Sequence, residues 1–275
     1  MIPFDFEYYR PETPEEAFSC FARLSKAGKA PVWYAGGTEL ISMARVGSIR
    51  FGAAVDLKSV PDCTRLGVER GRLHLGAALT LTQLAQSGLF PLLGRTVARI
   101  ADHTVQDKLT LGGNLAGTIQ YREAALPLLL CNAKALVMTA KGPQERPFAQ
   151  VFPGRLALEP GEFLLSVDVP VEAAALPHCH AKRTKLDKID YPLVTLCAVR
   201  EGRTVRAAVT GYGDAPLVLP GEALNDAGMD RTARAGKVCA EVAEQGRDSL
   251  SGSRAYKDFV LAAMVAQALA DLEVA

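Results

Sequence analysis

Two pairs of consecutive glycines, Gly36-Gly37 and Gly112-Gly113, have the residue type and spacing of an anion-binding turn. Consecutive glycines can adopt positive φ, and a ligand can approach their N–H groups because no Cβ stands in the way. Successive N–H groups turned to one side form an anion-binding nest, and the N-terminus of a following helix favours the same anion. A single pair is more often only a tight turn, so the repetition is what indicates a ligand.

The residues beside both pairs add hydrogen-bonding groups. Thr38 adds a hydroxyl to the first turn, and Thr110 and Asn114 repeat that chemistry at the second. Two such nests can hold the two halves of a pyrophosphate, each half carrying about one negative charge. The first turn does not read G-x-G-x-x-G, so an NAD-type Rossmann site is disfavoured.

The elements that must position the first turn form a strand–turn–helix–strand unit. PVWYAGG predicts a strand entering the turn, ELISMARVG a short helix leaving it, and AAVDL a second strand. Such a unit of about 30 residues has the size of a crossover connection. A helix is predicted before it over 12–28, with Thr13 as N-cap, Pro14 in the first helical position and Glu16 as capping-box partner.

The pattern changes near residue 172. Beyond it, strands are predicted over 181–200 and 204–212, and the remainder is predicted to be helical. We therefore expect a domain boundary within 172–178, without a long linker.

Charge and hydropathy exclude several classes of function. A net charge of +1, with acidic and basic residues interspersed, disfavours a nucleic-acid or anionic-membrane partner. No run of about 18 apolar residues predicts a membrane span. Acidic residues stand near the N-terminus where a signal peptide needs basic and apolar ones, so we expect a cytoplasmic protein.

The cysteines do not predict a metal centre. The six cysteines include no C-x-x-C pair, whereas an iron–sulfur cluster commonly needs thiolates only a few residues apart. His178-Cys179-His180 is interpreted as ordinary surface chain rather than a metal site, because adjacent residues of an extended chain point to opposite faces.

The segments around the two turns resemble those of a known protein family. YAGGTELI followed by TLGGNLAGT resembles the FAD-binding (medium) subunit of xanthine dehydrogenase and carbon monoxide dehydrogenase-type molybdenum hydroxylases. FEYYRPETPEEA is similar to the start of that family, and LEPGEFLLSVDVP to the segment that closes its FAD domain. AKRTKLDKIDYPLVTLCAV and SGSRAYKDFVLAAMVAQAL are similar to its C-terminal domain, so the resemblance spans nearly the whole chain.

The resemblance implies an α+β fold with two domains. Residues 1–172 would form a PCMH-type FAD-binding domain with subdomains at about 1–58 and 59–172. Residues 178–275 would form a smaller α+β domain, an antiparallel sheet with helices, like the C-terminal domain of the carbon monoxide dehydrogenase flavoprotein.

The resemblance also implies that FAD is the cofactor and that the two turns grip its pyrophosphate. The residues implied at the turns are Tyr34, Ala35, Gly36, Gly37, Thr38, Glu39, Thr110, Leu111, Gly112, Gly113 and Asn114. Glu123 would occupy the place of an Asp near the cofactor, Lys182 the strand that approaches the flavin, and Tyr191 the place of an aromatic group at the ring. From the residues alone, Lys182 can equally be interpreted as a surface lysine. Tyr191 can be interpreted as a strand residue that packs within the C-terminal domain.

Two segments depart from the family pattern. Val105-Gln106-Asp107 replaces the usual Ile-Arg-Asn before the second turn. After that turn, residues 119–123 (IQYRE) replace a Ser/Ala-Pro-x-x-Asp pattern, and Arg122 could pair with the neighbouring Glu123. These changes bear on the cofactor contacts more than on the fold.

The implied function is electron transfer within a complex. A [2Fe–2S] subunit would deliver electrons from a molybdopterin-binding large subunit, and this chain would pass them through FAD to NAD⁺ or another acceptor. No catalytic residue of substrate hydroxylation is expected in this chain. Two alternatives stay open: a stand-alone flavin oxidoreductase, and a non-catalytic assembly protein that keeps the fold but has lost FAD.

Overall fold

The computed structural model describes residues 1–187 and 189–274, and it divides the chain into two compact units. Unit 1 comprises Met1–Gln83, Thr104–Gly117 and Ala133–Val171. Unit 2 comprises Leu84–His103, Thr118–Asn132 and the chain from Glu172 onward. These units have other bounds than the predicted domains, 1–172 and 178–275, which remain a prediction.

Strands and helices are both present in each unit, mostly in short runs of one kind. Within the described residues the strands are β1 (Glu7–Tyr9), β2 (Pro31–Tyr34), β3 (Ala53–Asp56), β4 (Leu66–Glu69), β5 (Arg72–Gly76), β6 (Lys134–Thr139), β7 (Gly142–Pro147), β8 (Phe163–Pro170), β9 (His178–Thr184), β10 (Pro192–Glu201), β11 (Thr204–Thr210) and β12 (Leu217–Val218). The α-helices of the same residues are α1 (Pro14–Lys26), α2 (Thr38–Arg45), α3 (Pro61–Thr64), α4 (Leu81–Ser87), α5 (Pro91–Val97), α6 (His103–Gln106), α7 (Leu111–Ala116), α8 (Ala125–Leu130), α9 (Phe148–Val151), α10 (Val171–Ala174), α11 (Gly221–Leu224), α12 (Arg231–Glu241) and α13 (Arg254–Val274).

The first sheet of unit 1 is parallel and contains the predicted crossover. Its strand order is β1-β3-β2, and Tyr34 at the end of β2 lies opposite Asp56 at the end of β3. The chain runs from β2 through α2 to β3, as the sequence predicts. Because the strands are parallel, whatever follows β2 and β3 emerges at the same edge of the sheet.

Helix α1 begins where its capping signals predict. The Thr13 hydroxyl accepts a hydrogen bond from the Glu16 N–H (3.1 Å), and Pro14 occupies the first helical turn. The Glu16 carboxylate accepts from the N–H of Glu12 (2.9 Å) rather than from that of Thr13. Ala17 and Leu24 are the buried residues of this helix, which packs against β2 and β3.

The second sheet of unit 1 is antiparallel, with strand order β4-β5-β8-β6-β7. Strand β8, which lies at its centre, is mostly buried and pairs with β5 and β6. Directly after β5, residues 77–79 form a turn, and the carbonyls of Ala77 and Leu79 accept hydrogen bonds from the segment that begins α7. This connection fixes the position of the second glycine turn.

Unit 2 is built on a four-stranded antiparallel sheet of order β12-β11-β10-β9. Residues of α12 and α13 share a hydrophobic core with β10 and β11. The strand predicted over 181–200 is two strands, β9 and β10, separated by residues 185–191. The α+β prediction of antiparallel sheets with helices is confirmed, and no helix within the described ranges combines the length and apolarity needed to cross a membrane.

Candidate cofactor site

The first glycine turn presents backbone donors at the start of α2. Gly37 is the N-cap of this helix with φ +69°, a left-handed conformation that favours glycine, and no side chain of the described residues caps the helix. The N–H groups of Gly36, Gly37 and Thr38 donate to no protein group in the described parts of the chain. All three residues are partly exposed. This turn therefore has the free donors expected of an anion nest at a helix N-terminus.

Both glycines of the first turn are also required by packing. A Cβ added to Gly36 would lie 1.8 Å from the carbonyl oxygen of Lys108, which is backbone and cannot swing away. A Cβ on Gly37 would lie 2.4 Å from the ring of Tyr34. Glycine is therefore needed here for close approach as well as for conformation, and its presence alone does not prove a ligand site.

The second glycine turn has a different hydrogen-bond arrangement. The N–H groups of residues 111–114 all donate within the protein: Leu111 to the Leu79 carbonyl (2.9 Å), Gly112 to the Ala77 carbonyl (2.8 Å), Gly113 to the Thr110 hydroxyl (3.2 Å) and Asn114 to the Thr110 carbonyl (2.8 Å). Thr110 is thus the N-cap of α7. The interpretation of this turn as a second N–H nest is wrong, because capping and tertiary hydrogen bonds use the donors. Its residues remain candidates for contact through shape and side chains.

The fold brings the two turns together within unit 1. The Lys108 carbonyl that approaches Gly36 stands just before Thr110, where the second turn begins. On the other side, an oxygen of Glu39 lies 3.0 Å from the position of a Cβ on Gly117, directly after α7. Residues that are far apart in sequence therefore form one continuous surface.

A cluster beside the first turn was not identified from the sequence. The Lys58 ammonium donates to the Ala35 carbonyl (2.8 Å) and to the Asp56 carboxylate (2.7 Å), and it lies 4.5 Å from the centre of the Tyr34 ring. Asp56 is fully buried and also accepts from the Tyr8 hydroxyl. Burial and the hydrogen bond to Asp56 raise the pKa of Tyr8 to about 12, so Tyr8 remains a donor. One sequence signal could have identified Lys58. It comes shortly after β3, and in a parallel sheet the residues after β3 lie at the same edge as the glycine turn that comes after β2.

Glu123 and Lys182 form a buried ion pair in unit 2. The Lys182 ammonium donates to Glu123 (3.1 Å) and to the carbonyl of Arg99 (2.7 Å), while the Thr195 hydroxyl donates to the other Glu123 oxygen (2.7 Å). Their side chains are 1% and 4% exposed for Lys182 and Glu123. Burial raises the pKa of Glu123, and the Lys182 ammonium and Thr195 hydroxyl oppose that rise. The proposed partner of Glu123, Arg122, donates to the Thr118 carbonyl (3.3 Å).

Tyr191 lies at the exposed edge of unit 2, immediately before β10. Its side chain is 55% exposed and its ring stacks on that of Tyr121, with centroids 5.1 Å apart and planes inclined by 26°. An aromatic pair in which one ring, that of Tyr191, is exposed offers a face on which a planar ligand can stack. The role of Tyr191 at a flavin ring remains a prediction.

Within residues 1–187 and 189–274, no three His, Cys, Asp or Glu side chains are grouped so as to hold a metal ion. Burial and the neighbouring Arg99 lower the pKa of His180 to about 4. His178 has its Nδ1 2.9 Å from the carbonyl of Leu176. Burial raises the pKa of the Cys63 and Cys131 thiols to about 12, so neither thiol is ionised near neutral pH.

Comparison with known proteins supplies the family context. Residues 4–172 match the family described as the FAD binding domain in molybdopterin dehydrogenase. The carbon monoxide dehydrogenase medium chain of Afipia carboxidovorans is 27% identical over 268 residues, covering 90% of this chain and 91% of that protein. Subunit alpha of the 6-hydroxypseudooxynicotine dehydrogenase complex of Paenarthrobacter nicotinovorans is 24% identical, covering 98% and 95%. A solved structure of carbon monoxide dehydrogenase from Hydrogenophaga pseudoflava has the same fold, with TM-score 0.85, 24% identity and coverage of 100% and 99%.

Proposed function

This chain belongs to the family of FAD binding domains in molybdopterin dehydrogenases, and we propose that it is the electron-transferring FAD subunit of a dehydrogenase complex. The observation that carries the proposal is the pair of adjacent glycine turns in unit 1. One of them presents, at the start of α2, three N–H groups that have no acceptor among residues 1–187 and 189–274. That arrangement suits a pyrophosphate, the group that FAD carries between its flavin and adenosine parts.

The residues of the two turns would hold FAD unequally. Gly36, Gly37 and Thr38 would donate N–H groups to the phosphates, and the Thr38 hydroxyl would add a further donor. Residues 110–114 would form the adjoining wall, since the N–H groups of residues 111–114 are occupied. FAD, when bound, supplies the capacity to accept and release electrons, and the protein supplies placement.

In unit 2, Glu123, Lys182 and Tyr191 are proposed to act on the flavin side of the cofactor. The support is the resemblance at these positions together with the Tyr191–Tyr121 stack, in which the exposed Tyr191 ring offers an aromatic surface. Glu123 and Lys182 are paired with each other. They would therefore act on the flavin through their charges, or after a small movement of their side chains.

The partners are proposed from the relatives. Those relatives are named as a medium chain and as the alpha subunit of a complex. We infer that this chain also works in a complex, receiving electrons from a [2Fe–2S] subunit beside a molybdopterin-binding large subunit. It would pass them to NAD⁺ or another acceptor, and the cytoplasmic location stays a prediction.

FAD titration of the purified full chain tests the proposal. We expect stoichiometric binding, and we expect Thr38→Val to weaken it by about tenfold through loss of a hydrogen bond to a charged group. Thr232→Val, at an exposed threonine of α12, is the matched control and should bind like the original chain. A folded chain that takes up no FAD would refute the proposal and favour the assembly protein that has lost its cofactor.

The electron acceptor is tested separately. With FAD bound and oxygen excluded, NADH should bleach the flavin absorbance if NAD⁺ is the physiological acceptor. Absence of bleaching, with full reduction by dithionite, would indicate another acceptor. Purification of the tagged chain from its own host, followed by iron and molybdenum analysis of the complex, would test the two proposed partner subunits.

A further inference from the structure

Lys58 stands where the parallel sheet of unit 1 brings two chain ends together. Tyr34 and Asp56 are opposite each other at the ends of β2 and β3. The first glycine turn follows Tyr34, and Lys58 follows Asp56 by two residues. Lys58 therefore emerges beside the turn although it lies more than twenty residues away in sequence.

Three contacts hold the Lys58 ammonium in one place. It donates to the Asp56 carboxylate (2.7 Å) and to the Ala35 carbonyl (2.8 Å), and it lies over the Tyr34 ring. Asp56 is itself held by the Lys58 N–H (2.9 Å) and by the Tyr8 hydroxyl. A buried, doubly anchored carboxylate thus fixes the ammonium, and the ammonium in turn fixes the Ala35 carbonyl.

Fixing the Ala35 carbonyl also fixes the Gly36 N–H. The two groups belong to one planar trans peptide, in which C=O and N–H point in opposite directions. With the carbonyl directed to Lys58, the N–H must be directed away from it. This constraint matters because glycine is flexible, and Gly36 and Gly37 alone would leave that peptide plane free to rotate.

The charge of Lys58 is largely neutralised where it stands. Asp56 is fully buried and its carboxylate is 2.7 Å from the ammonium, so the pair has little net charge. Long-range attraction of an anion is therefore the smaller part of what Lys58 offers. Its orientation of the peptide is the larger part.

We propose that Lys58 is a positioning residue for the pyrophosphate of FAD, acting by holding the Ala35–Gly36 peptide with its N–H turned toward the ligand. The inference rests on the proposed FAD site. The group recognised is the diphosphate shared by FAD and ADP, and riboflavin, which has no phosphate, does not depend on Lys58.

The experiment uses the purified full chain and three variants. Lys58→Met removes the donor to Ala35, and Asp56→Asn/Lys58→Met removes it without leaving a buried unpaired carboxylate. Lys134→Met is the matched control, since Lys134 is another half-exposed lysine of unit 1 paired with a carboxylate, that of Glu145. FAD affinity is measured by flavin fluorescence, ADP affinity by displacement of FAD, and melting temperature in the absence of both.

We expect Lys58→Met to weaken FAD and ADP by the same factor, about tenfold, with unchanged stoichiometry. The double variant should recover melting temperature relative to Lys58→Met and yet stay equally weak toward FAD. The Lys134→Met control should bind both ligands normally.

Two results would overturn the inference. One is FAD affinity of the folded Lys58→Met chain within a factor of two of the original. The other is recovery of affinity together with melting temperature in the double variant, which would mean that Lys58 only compensates Asp56. Failure of the original chain to bind FAD is a different result, because it removes the proposed function itself.

Discussion

The two glycine turns have nearly the same sequence pattern and differ in how their N–H groups are used. At the first turn, Gly36, Gly37 and Thr38 keep their donors unpaired within the described residues, and α2 has no side-chain cap. At the second, every N–H of residues 111–114 has a protein acceptor, and Thr110 caps α7. A Gly-Gly pair before a helix therefore does not define a nest; the availability of its donors does.

The largest expected effect is that of Gly36→Ala. The new Cβ would fall on the Lys108 carbonyl, so one of the two backbone segments must move, and we expect a loss of about 3 kcal/mol or more in unfolding free energy. Urea denaturation measures it. Gly67→Ala in β4, where nothing lies within 4 Å of the added Cβ, is the control and should change little. Equal stability of the two variants would mean that the turns do not pack as described.

Gly112→Ala should have a smaller effect at the second turn. Its Cβ would lie 3.0 Å from the Ala77 carbonyl oxygen, a contact that needs only a slight adjustment. We expect a loss of about 1–2 kcal/mol in the same denaturation experiment. If Gly112→Ala lost more unfolding free energy than Gly36→Ala, the second turn would be the more tightly packed one, which would contradict these Cβ distances.

Thr110→Ala separates capping from ligand binding. It removes the hydroxyl that accepts from Gly113, and loss of an N-cap side chain costs about 1 kcal/mol. Because this change also frees the Gly113 N–H, FAD affinity should not fall in parallel with stability. Thermal melts and FAD titration of the same preparation check both parts, with Thr232→Ala as control; a tenfold weaker affinity would assign Thr110 to the ligand directly.

The sequence predicts only those features of the two turns that depend on neighbouring residues. The Thr13 cap of α1 and the crossover from β2 to β3 depend on neighbouring residues, so pattern and propensity predict them. The acceptors of the second turn, Leu79 and Ala77, come from a segment more than thirty residues away. No local signal indicates that pairing, and for this reason the sequence predicts the same role for two similar motifs.

The buried groups of the candidate site were unpredictable for a related reason. Glu123 and Lys182 are 59 residues apart, and only the packing of unit 2 shows that they satisfy each other. A surface lysine was the competing expectation for Lys182, and burial excludes it. Lys58, in contrast, was within reach of the sequence, because parallel strands place the residues after β2 and β3 at one edge.

The smallest expected effect is a pH dependence at β5, the strand that leads to the segment holding the second turn. His74 in β5 is held between Asp168 (Nδ1 to Oδ1, 2.9 Å) and the Asp62 carbonyl, and the hydrogen bond to Asp168 raises the pKa of His74. A raised folded-state pKa means that this stabilisation is full below about pH 6.5, the unfolded value, and is lost as pH rises through the folded value. Strand β5 leads directly into residues 77–79, whose carbonyls accept hydrogen bonds from the second turn.

Urea denaturation across pH 5.5–8.5 measures this contribution, with the range chosen to bracket the ordinary histidine pKa of about 6.5. The original chain should lose stability toward the upper end, and His74→Gln should lack that component. A variant with an unchanged pH profile would show that the His74–Asp168 pair does not contribute.

Amide hydrogen exchange with and without FAD tests most directly whether the two turns differ in donor availability. In the FAD-free chain, the amides of residues 36–38 should exchange rapidly and those of residues 111–114 slowly, since only the latter are hydrogen-bonded within the protein. Saturating FAD should protect residues 36–38 and leave 111–114 nearly unchanged. Protection gained mainly at 111–114, or none gained at 36–38, would contradict the account.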